Sequence, residues 1–232
     1  MTVYIKAERN AVAERAIISG DPSRINQLAE MLEGAKMISD SGGFLVYTGT
    51  YKGTPVTVAT HGIGGTSASI IINDLISLGV RKIIRLGTAG SLKEDIEVGD
   101  VIVATGAHYS PGGALGYNCG KFISAAPDFT LTKKLYQSLK SANIKVHLGT
   151  VFSKNAFYTL EDLNPWLISI GVLSLEMECA TLMIISRSHK VNSACALIVS
   201  DNVVKKSKMY TAAELKNFVS VASHAVMDSI IS

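Results

Sequence analysis

The chain has 232 residues, of which 47% are hydrophobic and 18% charged, and its net charge at neutral pH is +3. That length suits one α/β domain over residues 1–232 with a substantial core, and the composition leaves no segment that must be disordered. Lysines and arginines are scattered rather than run together, so no basic stripe points to nucleic acid, while a small anionic ligand is compatible. In chain order, residues 16–19 read as a strand and 23–34 as the helix that follows. Residues 44–50 and 55–60 pattern as paired strands, joined by the turn Tyr51, Lys52, Gly53, Thr54. The glycine-rich turn His61, Gly62, Ile63, Gly64, Gly65 leads into a helix over 67–78, which Gly79 stops by tolerating positive φ. Strands follow at 82–86, 100–107 and 145–152, with a helix at 131–141 and a mobile glycine-rich loop at 112–120. Residues 176–188 read as a helix, 194–199 as a buried strand and 212–231 as a long closing helix. This alternation favours a mainly parallel sheet covered by helices, with ligands collecting beyond the carboxyl ends of the strands.

Cys119, Cys179 and Cys195 cannot all pair within one chain and match no metal-site spacing, so they read as free thiols in a reducing compartment. The first ten residues lack the apolar core of a signal peptide. The apolar stretch from Ile70 is broken by Asn73 and Asp74, well short of a bilayer's width. The expectation is a soluble cytoplasmic protein with no membrane partner.

Five segments carry candidate chemistry. In Gly20, Asp21, Pro22, Ser23, Arg24, Asp21 can cap a helix opened by Pro22, and the free N–H groups with Arg24 can hold an anion. An ordinary strand-to-helix turn with a surface arginine is the other reading of those letters. Arg85 ends an otherwise apolar strand, where a charge needs a partner, and Thr88 with Gly87 and Gly90 suits a close-bound phosphate. A salt bridge to an acidic side chain would satisfy the same arginine. The turn at His61 is neither a Walker loop nor a dinucleotide fingerprint, and His61 itself reads as a hydrogen-bonded structural histidine before a catalyst. Glu176 and Glu178, two apart on the expected helix, fall on different faces and do not make an acid/base pair. One of them can accept from sugar hydroxyls over Met177, or both can merely suit the helix dipole. Asp201, after the apolar strand, is a carboxyl group whose partial desolvation would favour proton donation, or a turn aspartate.

Taken in order, GDPSR, HGIGG, RLGTAG, NAFY, EMECA and VSDN resemble the nucleoside phosphorylase-I family of bacterial and archaeal purine nucleoside, methylthioadenosine and uridine phosphorylases. The likeness runs from Tyr4 to the last helix. It implies a three-layer α/β/α sandwich whose mixed sheet partly closes into a barrel. It also implies a homo-oligomer, usually a hexamer built as a trimer of dimers, with sites completed by a neighbour. By the same likeness, Gly20, Arg24, Arg85 and Thr88 bind phosphate, and Met177 and Glu178 hold the ribose. Ala89, Gly90, Phe157 and Leu175 line the base pocket, and Asp201 protonates the base at N7. The implied substrates are a nucleoside and inorganic phosphate, with no metal and no organic cofactor.

Three positions depart from the purine members. Tyr4 stands where they place a histidine reaching a neighbour's ribose, leaving the 5′ specificity open between hydroxyl and methylthio. Gly42 stands where they place a phosphate-site arginine, which implies weaker phosphate binding. Leu215 and Lys216 are nearest to the arginine that assists the catalytic aspartate in some members. Uridine members read pyrimidine carbonyls with a glutamine and an arginine, where this chain has Glu161 and Leu163. That difference and Asp201 favour purine over uridine. Arg24 and Arg85 argue against a hydrolytic nucleosidase, and the intact set argues against a nucleoside-binding protein without turnover.

Overall fold

The computed structural model describes residues 2–160 and 162–232, and within them nine strands form one mixed sheet. Three strands define its middle: β1 (Arg15–Ser19), β4 (Thr54–Thr60) and β5 (Lys82–Ser91). The first pairs in parallel with both others. Beyond β4 lie the antiparallel β3 (Val46–Tyr51) and the edge strand β2 (Glu33–Ser39). On the other side, β5 is joined through β8 (Ser174–Glu176), β7 (Val146–Ser153) and β6 (Val101–Tyr109) to β9 (Asn192–Asn202). Because β9 also pairs in parallel with β5 from Lys82 to Ser91, these five strands close on themselves. The expected three-layer sandwich with a partly barrel-closed mixed sheet is therefore present.

Strand periodicity divides the core. In β9, Cys195, Leu197 and Val199 face one helical layer, while Ala194, Ala196 and Ile198 face the other. The first layer holds α2 (Gly64–Leu78), α3 (Gly113–Tyr117) and α6 (Cys179–Ser188). The second holds α1 (Pro22–Glu30), α4 (Phe129–Ser141) and α7 (Lys216–Ile231). The short α5 (Asn164–Ser169) covers the outside of β8 through Leu167.

Several ends differ from the sequence reading, and the causes are mostly long-range. Helix α1 stops at Glu30 rather than continuing to residue 34, because residues 33–39 pair with β3 as an edge strand. Those residues lack a strand-like alternation, so tertiary pairing overrides local preference. Strand β5 continues through Ser91, which puts Arg85 in mid-strand rather than at its end. Strand β9 likewise continues through Asp201. Residues 113–117 form α3 where a loop was expected, and α7 begins at Lys216 rather than at 212. Gly79 closes α2 with φ 120°, as its position suggested. No described helix is long and apolar enough to cross a membrane.

Candidate active site

The carboxyl ends of β1, β4, β5, β8 and β9 surround a cavity of about 660 Å³. Gly20, Arg24, Arg85, Thr88, Ala89, Gly90, Phe157, Leu175, Met177, Glu178 and Asp201 all line it. Five stretches well separated in sequence thus meet in one hollow, as expected for strand ends in such a sheet.

At one end, the local signal of the first turn is realised. Asp21 caps α1 by accepting from the Ser23 N–H at 2.8 Å, and Pro22 occupies the first helical position. This turn sends Arg24 inward, where it is only 4% exposed. Its Nη1 donates to Ser19 Oγ at 2.8 Å and to the Leu86 carbonyl at 3.1 Å, and its Nε has no partner among the described residues. Burial pushes this guanidinium down to about 10, with Asp21 opposing and Arg85 adding to the fall. An anion placed here would relieve that cost.

Arg85 is buried to the same degree. Gly87 makes room for it: a Cβ there would run into the guanidinium. Its Nη2 donates to Glu178 Oε2, its Nη1 lies 3.6 Å from Glu176 Oε2, and its Nε has no partner among the described residues. Burial works against the charge, but Glu178, Cys179 and Glu176 outweigh it and hold the guanidinium above its ordinary value. The carboxylate of Glu178 also accepts from the Gly64 N–H at 2.6 Å. Burial pushes Glu178 up, but Arg85 more than offsets this and keeps it below the usual carboxylate range.

The two glutamates correct the sequence reading. Helix α6 starts at Cys179, not at 176, and the preceding residues belong to β8 or to the bend after it. Glu176 accepts from the N–H groups of Glu178 at 2.8 Å and Cys179 at 2.9 Å, so it caps the helix from outside. It also accepts from Ser153 Oγ, which in turn accepts from the Ala180 N–H at 3.0 Å. Being off the helix, both carboxylates reach the same guanidinium instead of diverging.

At the other end, β5 and β9 slip by one residue, Ala89 facing Val199 and Gly90 facing Asp201. Ser200 is the extra residue of this bulge, a device that re-aims the next side chain. Asp201 is thereby turned into the cavity, where Ser200 Oγ donates to its Oδ1 at 2.7 Å. Ala89, Leu175, Val203 and Leu215 supply apolar wall, and Phe157, 52% exposed, forms the rim with its ring edge-on to Tyr158. Leu215 therefore contributes surface rather than charge beside the aspartate.

Tyr4 lies outside this cavity of its own chain. Its ring meets Phe44 edge-on at 5.1 Å and covers Gly42, where a Cβ would come within 2.8 Å of Tyr4 Cε1. Two of the three departures from the purine members are thus in contact, and a larger residue at 42 would displace the tyrosine. His61 is fully buried behind the site rather than lining it, both ring nitrogens lack a hydrogen-bond partner among the described residues, and burial followed by Arg85 pushes it down to about 4. Leu163 lines a neighbouring cavity of about 330 Å³, and Glu161 lies outside the described residues. Sequence reasoning missed Ser200, the bracing role of Glu176 and Lys154. For Lys154 a signal existed, a cation at the carboxyl end of a strand just before the Phe157–Tyr158 pair. Among the described residues no cluster of three or more His, Cys, Asp or Glu is placed to hold a metal ion, and the three cysteines are free.

The chain belongs to the Phosphorylase superfamily, whose family model matches residues 14–230. Among its relatives, the DeoD-type purine nucleoside phosphorylase of Brevibacillus brevis is 38% identical over 208 residues, 88% of each chain. That of Clostridium novyi is 38% identical over 209 residues, 88% of this chain and 89% of the relative. The DeoD-type 2 enzyme of Vibrio vulnificus is 33% identical over 221 residues, 94% and 93% of the two chains.

Proposed function

We propose that this protein is a purine nucleoside phosphorylase, which uses inorganic phosphate to cleave the N-glycosidic bond of purine ribonucleosides into free base and ribose 1-phosphate. The single observation that carries this reading is the convergence of Arg24, Arg85, Glu178 and Asp201 on one cavity of about 660 Å³. In the proposed arrangement Gly20, Arg24, Arg85 and Thr88 hold phosphate, while Glu178 over Met177 accepts from the ribose hydroxyls. The base lies among Ala89, Gly90, Phe157 and Leu175, with N7 towards Asp201. The relatives, each named as a purine nucleoside phosphorylase, support the purine reading.

The chemistry follows from charge. As the bond to C1′ breaks, the ribose becomes oxocarbenium-like and the base takes the bonding electrons. Asp201 delivers a proton to N7 as that charge develops, a contribution of about 10²–10⁴-fold for a positioned general acid. Bound phosphate offsets the positive sugar, then forms the new bond to C1′. Holding both reactants in one pocket supplies much of the remaining acceleration. The reaction so written takes phosphate as co-substrate and calls on no metal or organic cofactor.

The whole chain acts as one catalytic domain of a cytoplasmic homo-oligomer, a hexamer arranged as a trimer of dimers, and Tyr4 serves the ribose site of a neighbour. The decisive experiment is a panel of adenosine, inosine, guanosine, methylthioadenosine and uridine, with and without phosphate, read by release of free base. Phosphate-dependent release from purine nucleosides is expected. Release without phosphate would mean a hydrolase, and release from uridine alone would mean a pyrimidine enzyme. Light scattering on the same preparation should give a mass several times that of one chain, and a monomer would remove the shared site.

A further inference from the structure

Lys154 stands at the base end of the cavity and has no part in the reaction as derived so far. It follows β7, and its backbone is fixed by its own N–H, which donates to the Glu176 carbonyl at 2.7 Å. The next N–H, that of Asn155, donates to Ser110 Oγ at 2.8 Å. The side chain lines the main cavity and also the smaller one beside it. Only Phe157, Asn164 and Leu175 share that double position, so Lys154 sits with the base-side wall, away from Arg24 and Arg85. Among the described residues lining the main cavity it is the only cation besides those two arginines.

Its ammonium is held in place but not used up. Lys154 Nζ donates to the Phe157 carbonyl at 2.9 Å and forms no ion pair with a described residue. An ammonium has three protons to donate and accepts none. With one engaged, two remain for a ligand.

We infer that Lys154 is a specificity-determining residue that reads a carbonyl oxygen on the base, so that 6-oxopurine ribonucleosides are preferred over 6-aminopurine ribonucleosides. The inference rests on the phosphorylase reading and names its substrate class. In a purine, the 6-substituent lies on the same edge as N7. A base that offers N7 to Asp201 therefore carries that substituent into the base end of the cavity. A carbonyl there accepts a charge-assisted bond from Nζ, while an amino group presents a donor to a donor. A site built around one sign of hydrogen bond rejects the analogue that cannot supply the other half. The same ammonium also lies close to charge that the departing 6-oxo base spreads on to its oxygen.

The test compares inosine with adenosine, in the presence of phosphate, for the wild type, Lys154→Met and Lys154→Arg. The wild type should show the higher kcat/KM for inosine. In Lys154→Met, inosine should lose more than adenosine, so that the ratio falls about tenfold or more, the scale of one hydrogen bond to a charged group. Lys154→Arg should keep most of the ratio. An unchanged ratio in Lys154→Met, or a wild type that prefers adenosine, would overturn the assignment. Equilibrium dialysis of hypoxanthine and adenine against wild-type protein tests the same point without any variant or turnover. Hypoxanthine should bind more tightly, and equal or reversed affinities would also overturn it. Absence of phosphate-dependent release from every purine nucleoside is a different result: it removes the phosphorylase reading itself, and the inference falls with it.

Discussion

Arg85 and Glu178 form an ion pair almost sealed from solvent, and the same guanidinium lies 3.6 Å from Glu176. In the proposed reaction both members of the pair have other partners, phosphate for the arginine and ribose hydroxyls for the glutamate. Glu176 is committed elsewhere, accepting from Ser153 and from two backbone N–H groups. One carboxylate is thus a fixed counter-ion and the other an exchangeable one. In that reaction, phosphate arriving at Arg85 would draw the guanidinium from Glu178 and free that carboxylate for the sugar.

Binding of phosphate and nucleoside should therefore be coupled. A nucleoside analogue with an uncleavable bond should bind about 5- to 150-fold more tightly with saturating phosphate than without it, the usual span of coupling between sites. Titration calorimetry in the two conditions measures this. Independent affinities would mean that the pair does not open on binding.

The two arginines should respond differently to truncation. Arg24 donates to a hydroxyl and a carbonyl and pairs with no carboxylate among the described residues, so Arg24→Ala should raise the phosphate KM with little change in stability. Arg85→Ala should also raise the phosphate KM far more than the nucleoside KM. It leaves two buried carboxylates unpaired as well, a loss of about 3–5 kcal/mol of stability by analogy with other broken buried pairs. Initial-rate kinetics with chemical denaturation separate the effects, and equal KM changes for both substrates would count against a phosphate ligand.

Asp201→Asn keeps the shape of the side chain and removes its acidity. Phosphorolysis of inosine or adenosine should fall by about 10²–10⁴-fold, with phosphate binding retained. Stopped assays of free base decide this, and near-normal turnover would exclude Asp201 as the acid.

Glu176→Gln tests the brace under the site. An amide has one accepting end, so it cannot satisfy Ser153, the Glu178 and Cys179 N–H groups and Arg85 together. About 2 kcal/mol should be lost, a drop in Tm of roughly 4–8 °C for a chain of this size. An unchanged Tm would show that the brace is dispensable.

His61 predicts a slope of stability with pH. Burial holds its folded-state value at about 4, below an unfolded value near 6.5. The unfolded chain therefore binds the proton first. The stability from this group is full above about pH 6.5 and is lost as pH falls towards about 4. Between pH 7 and 5 the loss should be about 2 kcal/mol from this residue. His61→Phe should flatten that part of the curve in denaturant titrations, and an unaltered slope would assign it elsewhere. Glu178, held low by Arg85, contributes in the same sense, its share disappearing only at more acid pH.

What the letters already contained was local. Asp21 before Pro22 is a local helix-start signal, Gly79 a helix end, and the unbroken apolar run of residues 194–199 fits a strand buried on both faces. The motifs likewise named the residues that meet in the cavity, because each marks the end of a strand and strand ends share one rim of the sheet. What a side chain does on that rim depended on partners distant in sequence. Glu176 sits outside its expected helix because residues 174–176 pair with β7 and β5, and its carboxylate then caps the first turn of that helix. Asp201 is aimed by a one-residue slip against Gly90, and Tyr4 lies over Gly42 because Asp74, 70 residues on, accepts its N–H. Hydrogen bonding within a turn is encoded by neighbours along the chain, whereas register and ion pairing are set by whichever strand packs alongside, and only the folded sheet supplies that.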